Sequence, residues 1–233
     1  MAHKKFNNVI GDEYDLFQLV IPHHDEFQAQ IGEIVHEFAS GNTELVNIRV
    51  VEIGSGTGIT TKVLLEADPR INVIAIDNEP KMEQSLVSLL PGRVEFILDD
   101  ALEALRKMDE SSVDVVASCY TIHNMPTDWR ISLFKEIYRV LRTSGIVVNA
   151  DKIAVDEPLL HQKMLVQQFK LFEKFKKINR GDLFIEWTKH YIEDDKIKFI
   201  EAEQSEVLVL AGFVDIKKVY RRKMEALFFA TKL

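Results

Sequence analysis

From residue 46 onward, hydrophobic residues gather in short β-rich runs that alternate with helical patterns. The runs are "VNIRVVEIG" (46–54), "INVIAID" (71–77), "RVEFILD" (93–99), "VDVVASCY" (113–120) and "GIVVNAD" (145–151). Each is rich in Val and Ile with no clear polar alternation, as in strands covered on both faces. Between them, "ITTKVLLEA" (59–67), "PKMEQSLVSLL" (80–90), "ALEALRKM" (101–108) and "TDWRISLFKEIYRVLR" (127–142) read as helices. The last sets Ile131, Phe134, Ile137 and Leu141 on one face, opens at Thr127 or Asp128 and stops at Gly145. Strand alternating with helix predicts an α/β fold with a mostly parallel sheet, right-handed crossovers and helices on both faces.

The flanks follow other patterns. Ile31, Ile34, Val35 and Phe38 are spaced for one buried helical face, which predicts an N-terminal helical cap over 1–45. After the core at 46–151, residues 152–205 are dominated by helical patterning and predict a lid insertion. The runs "FVDIKKVYRR" and "EALFFATKL" then predict a strand pair within 206–233. A chain of 233 residues suits one domain with such an insertion.

Composition narrows the setting. With 46% hydrophobic and 28% charged residues the chain reads as an ordinary globular protein. No window approaches eighteen uninterrupted apolar residues and the start has no signal-like apolar core, so a cytoplasmic address and no membrane are expected. A net charge of -8 gathers no nucleic acid over the whole surface, although Lys170, Lys174, Lys176, Lys177 and Arg180 make a local basic run. The single cysteine, Cys119, excludes an internal disulfide and a cysteine-rich zinc site. His23, His24 and Asp25 are adjacent, but neighbouring side chains face apart and no second cluster appears, so no metal is expected.

The most specific signal is "VVEIGSGTGITT" (51–62), a glycine loop between a buried strand and a helix start. Removing side chains there lets backbone approach a ligand closely. The dinucleotide fingerprint G-x-G-x-x-G fails, because the sixth position is Ile59, and no Gly-Lys-Ser/Thr follows for a phosphate loop. The loop is G-x-G-x-G.

That loop, with Glu52, Gly54, Gly56 and Gly58, resembles the first motif of the class I S-adenosylmethionine-dependent methyltransferases. Further resemblances follow in the family's order: Asp77 in "VIAIDNEP", Asp100 and Ala101 in "ILDDAL", the strand and His123 in "VDVVASCYTIHNMP", and the helix, turn and strand in "FKEIYRVLRTSGIVV". The resemblance implies a Rossmann-like seven-stranded sheet and S-adenosylmethionine as donor, leaving S-adenosylhomocysteine. It implies donor contacts at Glu52, Gly54, Ser55, Gly56, Gly58, Asp77, Asn78, Asp100, Ala101, Ser118 and Cys119. Asp77 would hold the ribose hydroxyls and Asp100 the adenine amino group.

A nearer resemblance joins "FNNVIGDEYDLFQLVIPHHDEFQAQIGEIVHEF", "AIDNEP" and the tail "LVLAGFVDIKKVYRRKMEALFFATKL" to the subgroup containing carboxy-S-adenosylmethionine synthase, whose members take part in wobble-uridine modification of tRNA. In that synthase an arginine and a tyrosine hold the extra carboxylate, and here Lys189 and His24 stand at the matching places. Lysine lacks the two-pronged contact of arginine, so an ordinary methyl donor is preferred.

Methyl transfer is an in-line displacement whose leaving thioether needs no proton, so positioning dominates. Where a base is needed, His123 is the expected group, with Tyr14 beside it. His24, Tyr120, Trp187 and Lys189 are expected in the acceptor pocket. A small-molecule acceptor is the leading reading. The alternatives are a synthase-like or tRNA-modifying enzyme, and a non-catalytic module that binds an adenosyl ligand or a partner. A homodimer stays open.

Overall fold

The computed structural model describes residue 10 and residues 13–87 and 92–233. A 3-10 helix at Tyr14–Val20 leads into α1 (His24–Gly41). The alternating region follows as β1 (Ile48–Ile53), α2 (Ile59–Ala67), β2 (Ile71–Asp77), α3 (Pro80–Val87), β3 (Val94–Leu98), α4 (Ala101–Arg106) and β4 (Val113–Cys119). A 3-10 turn at Ile122–Asn124, α5 (Thr127–Val140) and β5 (Leu141–Lys152) complete it. The insertion holds α6 (Pro158–Lys177) and α7 (Gly181–Asp195); α8 (Glu201–Ala211), β6 (Val214–Arg222) and β7 (Glu225–Thr231) finish the chain.

Seven strands form one sheet in the order β3-β2-β1-β4-β5-β7-β6, with only β7 antiparallel to its neighbours. Strand β4 is buried at every residue, which explains why its sequence never alternates. One face of the sheet packs against α1, α2 and the aromatic side of α6 and α7 through Phe27, Ile31, Leu64 and Phe172. The other packs against α4, α5 and α8 through Leu105, Phe134, Ile137 and Val207. The order turns at β1 and β4, so the loops after β1 and β4 open a crevice at the carboxyl ends of the strands.

Most expected boundaries hold or move by one or two residues, and two move further. Strand β5 starts four residues before the expected run, because the turn at Thr143–Gly145 is absorbed as a bulge. Ser144 takes φ +64°, and the register jumps from Val113↔Leu141 to Val115↔Ile146. Helix α8 also runs through the expected 205/206 boundary, so the strand pair begins at Val214.

The insertion also lies differently from a simple lid. Phe172 and Phe175 are fully buried and Trp187 stacks on Phe17 at 4.1 Å between ring centres. Gln168 Nε2 donates to the Val20 carbonyl at 3.1 Å and Lys174 Nζ to the Leu19 carbonyl at 2.9 Å. The apolar stripe of α6 therefore buttresses the N-terminal segment instead of roofing the crevice.

One arginine ties the first helix to the sheet. Arg70 donates to the carbonyls of Ala39 (2.7 Å), Asn42 (3.0 Å) and Leu45 (3.1 Å) while pairing with Asp68 at 2.8 Å. These are the orphan carbonyls at and just after the end of α1. Arg70→Ala is expected to cost about 1–3 kcal/mol in urea unfolding.

Candidate functional site

The crevice is a cavity of about 390 Å³. Its walls come from the 3-10 helix, α1, the β1–α2 loop, the ends of β2 and β3, and the segment from Cys119 to Trp129. Glycine makes the approach possible. Gly54 has φ +73° and a Cβ there would overlap the Thr121 side chain, whereas Gly56, at φ +50°, has open space where a Cβ would stand. Asp77 Oδ2 accepts the Gly56 N–H at 2.8 Å and Oδ1 accepts the Glu79 N–H at 2.9 Å. The carboxylate at the end of β2 thus fixes the loop after β1.

Most of the expected donor residues meet here. Gly54, Ser55, Gly56, Asp77, Asn78, Asp100, Ala101 and Cys119 line the cavity. Asp100 also caps α4, accepting the Leu102 N–H at 3.0 Å and the Glu103 N–H at 3.4 Å. Ser55 Oγ is buried with no hydrogen-bond partner among the described residues. Three expected residues sit one layer back. Gly58 precedes the first residue of α2 and Ser118 donates to the Ile53 carbonyl at 3.1 Å. Glu52 is fully buried, and Thr61 Oγ1 donates to it at 2.5 Å.

Burial pushes the Glu52 carboxyl up to about 8, against the Thr61 hydrogen bond that lowers it, and burial raises Asp77 as well. Burial likewise pushes up the Cys119 thiol, which accepts from Gln28 Nε2 at 3.3 Å. Thr60 Oγ1 donates to Gln28 Oε1 at 3.0 Å, so Gln28, Thr60 and Cys119 form a polar floor. Gln28 was not anticipated from sequence. The signal was a glutamine beside Phe27 on the buried face of α1, where an apolar residue would otherwise stand.

The acceptor side needs more correction. Tyr120 lines the cavity, at φ +51°, a left-handed conformation that an aromatic residue adopts only under constraint. His24 also lines it, buried, with Nδ1 3.2 Å from Asp25 Oδ1. Trp187 does not; it lies behind Phe17, which does. Lys189 is exposed on α7 and lies outside the wall, and of the whole insertion only Ile197 reaches it. The Tyr14 side chain lies outside what the structure describes. Phe17, Met125, Trp129 and Ile197 were missed, because each arrives from a segment whose sequence reads only as packing.

His123 turns the other way. Its Nδ1 is 2.5 Å from Asp151 Oδ1, its backbone N–H donates to Asp151 Oδ2 at 2.8 Å, and its Nε2 is 3.6 Å from Asp194 Oδ2. The 3-10 turn puts Asn124 and Met125 on the cavity and His123 on the opposite side. The expected base is therefore out of reach. His23 and His24 do not converge with each other: His23 Nδ1 pairs with Glu26 at 3.3 Å. A different trio does, because His123, His190 and Asp194 each place one ligand atom within 4.8 Å of the others.

Charge completes the picture. Asp77, Glu79, Asp99 and Asp100 line the cavity, and no lysine or arginine does among the described residues. Asp99 is paired outward with Lys107 Nζ at 2.6 Å.

Comparison with known proteins agrees with this geometry. Residues 50–145 match the family described as a methyltransferase domain. The carboxy-S-adenosyl-L-methionine synthase of Nautilia profundicola is 27% identical over 100% of both chains. That of Citrifermentans bemidjiense is 26% identical over 85% of this chain and 80% of its own. Among solved structures, DszA carbon methyltransferase superposes with a TM-score of 0.63 at 18% identity, covering 89% of this chain and 54% of that one. PigF with SAH gives 0.54 at 15% identity over 93% and 62%. At such identities the likeness is one of fold.

Glu52 makes the site measurable through stability. Its carboxyl is at about 8 in the folded state against 4.5 in the free one, so between those values the folded state keeps a proton that the unfolded state loses. Stability from this group therefore falls as pH rises from about 4.5 to 8, by up to roughly 4 kcal/mol. Glu52→Gln is expected to flatten that part of the curve, read from urea midpoints at both ends of the range.

Proposed function

We propose that this chain, which belongs to the class I S-adenosylmethionine-dependent methyltransferases, moves a methyl group from plain S-adenosylmethionine to a small-molecule acceptor lacking negative charge. The observation that carries the reading is the wall of the cavity: four carboxylates and no lysine or arginine among the described residues. Such a wall suits a sulfonium donor. S-adenosylmethionine brings one α-carboxylate of its own, which Gln28, Thr60 and the unpartnered Ser55 Oγ would face; a second carboxylate on the donor, or an anionic acceptor, would find no lysine or arginine among the described residues of the wall.

The residues present fit the donor. Open space at Gly56, the buried Ser55 Oγ without a partner and the oriented Asp77 carboxylate are what a nucleoside with a polar tail requires. Asp77 would accept from the ribose hydroxyls, Asp100 and Ala101 would border the base, and Gln28, Thr60 and Cys119 would face the amino-acid end. When bound, the donor supplies a methyl on a sulfonium, to be displaced in line by a lone pair of the acceptor.

The chain's part in that step is to place the acceptor and keep water out. Phe17, Tyr120, Met125, Trp129 and Ile197 give the acceptor side apolar and aromatic surface. His24 takes the role expected of His123, because it is the one imidazole on the cavity wall among the described residues. It would receive a proton from a hydroxyl or amine acceptor.

A synthase-like reading has the full-length match to carboxy-S-adenosyl-L-methionine synthases in its favour. Against it stand the exposed Lys189 and the lack of a cationic partner in the described cavity wall. A tRNA acceptor has less support, because three of the five residues of the basic run have partners within the molecule, while Lys170 and Lys177 stay exposed. Lys174 holds the Leu19 carbonyl, Lys176 Nζ lies 3.6 Å from the centre of the Phe184 ring, and Arg180 pairs with Asp182 at 2.8 Å.

Calorimetric titration with S-adenosylmethionine tests the donor site. Asp77→Asn is expected to weaken binding by roughly 10- to 100-fold, the worth of one or two charge-assisted hydrogen bonds. Unchanged affinity would remove Asp77 from the site.

A further inference from the structure

We propose that His123, His190 and Asp194 form a buried site for a single divalent transition-metal ion, zinc by the chemistry of the ligands. The three ligand atoms belong to separate parts of the chain, the turn after β4 and one face of α7, and all lie within 4.8 Å of one another. Asp194 Oδ2 is 3.1 Å from His190 Nε2 and 3.6 Å from His123 Nε2. A tetrahedral zinc ion with bonds of roughly 2.0–2.1 Å sets its ligand atoms on the order of 3.3 Å apart, so the two spacings about Asp194 need little adjustment, and the third, between the histidines, lies within 4.8 Å. His190 and Asp194 are one helical turn apart and so share a face.

The surroundings are those of a ligating histidine. The second nitrogen of His123 is 2.5 Å from Asp151 Oδ1, and the backbone N–H of the same residue holds the other oxygen. A carboxylate behind an imidazole fixes the ring and its tautomer, presenting the far nitrogen inward. The side chains of His123, His190 and Asp194 are 7%, 9% and 1% exposed. Two imidazoles and one carboxylate with a fourth position open favour zinc over the oxygen-seeking cations. Beside the trio lies a small cavity of about 10 Å³, whose lining includes His123, Asp194, His161 and Lys152. His161 is 4% exposed and its Nδ1 has no hydrogen-bond partner among the described residues. A space of that size holds about one water, the occupant that an open fourth position and an idle imidazole nitrogen would share.

Lys152 sets the strength of the site. Its ammonium is 2.6 Å from Asp194 Oδ2 and 4.0 Å from the centre of the Tyr191 ring. Metal ion and ammonium therefore compete for one oxygen. The proposal makes Lys152 a rival of the ion, and its removal should strengthen binding. A bound ion would pin α7 to the turn that carries Asn124 and Met125 on the cavity wall.

The test uses the full chain, stripped with a chelator, re-equilibrated with zinc chloride and desalted. Metal content is read by mass spectrometry and thermal unfolding is followed with and without zinc. The expected results are about one zinc per chain, a zinc-dependent rise in Tm, and loss of both in His190→Ala. Lys152→Met should bind zinc about 10-fold or more tightly than the unaltered chain and show the larger rise in Tm. Where His190→Ala does not fold, His190→Gln serves, since it keeps a polar group of similar reach. The proposal is overturned if neither the unaltered chain nor Lys152→Met retains zinc, which would leave Lys152 as the cluster's own cation. It is equally overturned if the His190 variants retain as much zinc as the unaltered chain.

Discussion

The hydrogen bond from the Gly56 N–H to Asp77 Oδ2, 2.8 Å long, joins the loop after β1 to the end of β2, and the rest of the site depends on it. It forces the loop to present backbone to the crevice, and it aims a half-buried carboxylate at the same space. Gly54 meets Thr121 from the far side so closely that no side chain fits between them. The β1, β2 and β4 ends are thereby locked at one point, where the strand order reverses. The donor geometry proposed above would thus be set by the ends of the sheet strands.

The acceptor side is built by other means. Phe17 reaches the cavity because Trp187 stacks behind it, and the aromatic stripe of α6 packs in turn around that pair. Tyr120 is held in a left-handed conformation by the end of β4. These contacts are apolar and cross long stretches of chain. The insertion acts as a buttress for Phe17 and the N-terminal segment.

What the sequence made legible follows from this division. Strands and glycine loop could be read because β1, β2 and β4 are buried runs bounded by turns, and because G-x-G-x-G followed by Asp77 depends on local spacing alone. The polar floor of Gln28, Thr60 and Cys119 was only partly visible, since its members come from three elements and meet only in the fold. His123 misled because a 3-10 turn of three residues sends successive side chains out about 120° apart; no pattern within the turn says which of them faces the ligand. The trio of His123, His190 and Asp194 was hidden for the same reason, its parts lying in segments about seventy residues apart that topology alone brings together.

The central claim is that the acidic wall of the cavity accepts the ordinary donor. Mass spectrometry of the adenosyl compound released when freshly purified protein is denatured tests it most directly. The account predicts S-adenosylmethionine or S-adenosylhomocysteine. A released ligand heavier by one carboxyl group would contradict it, and would mean that a cationic partner for that carboxylate faces the cavity after all.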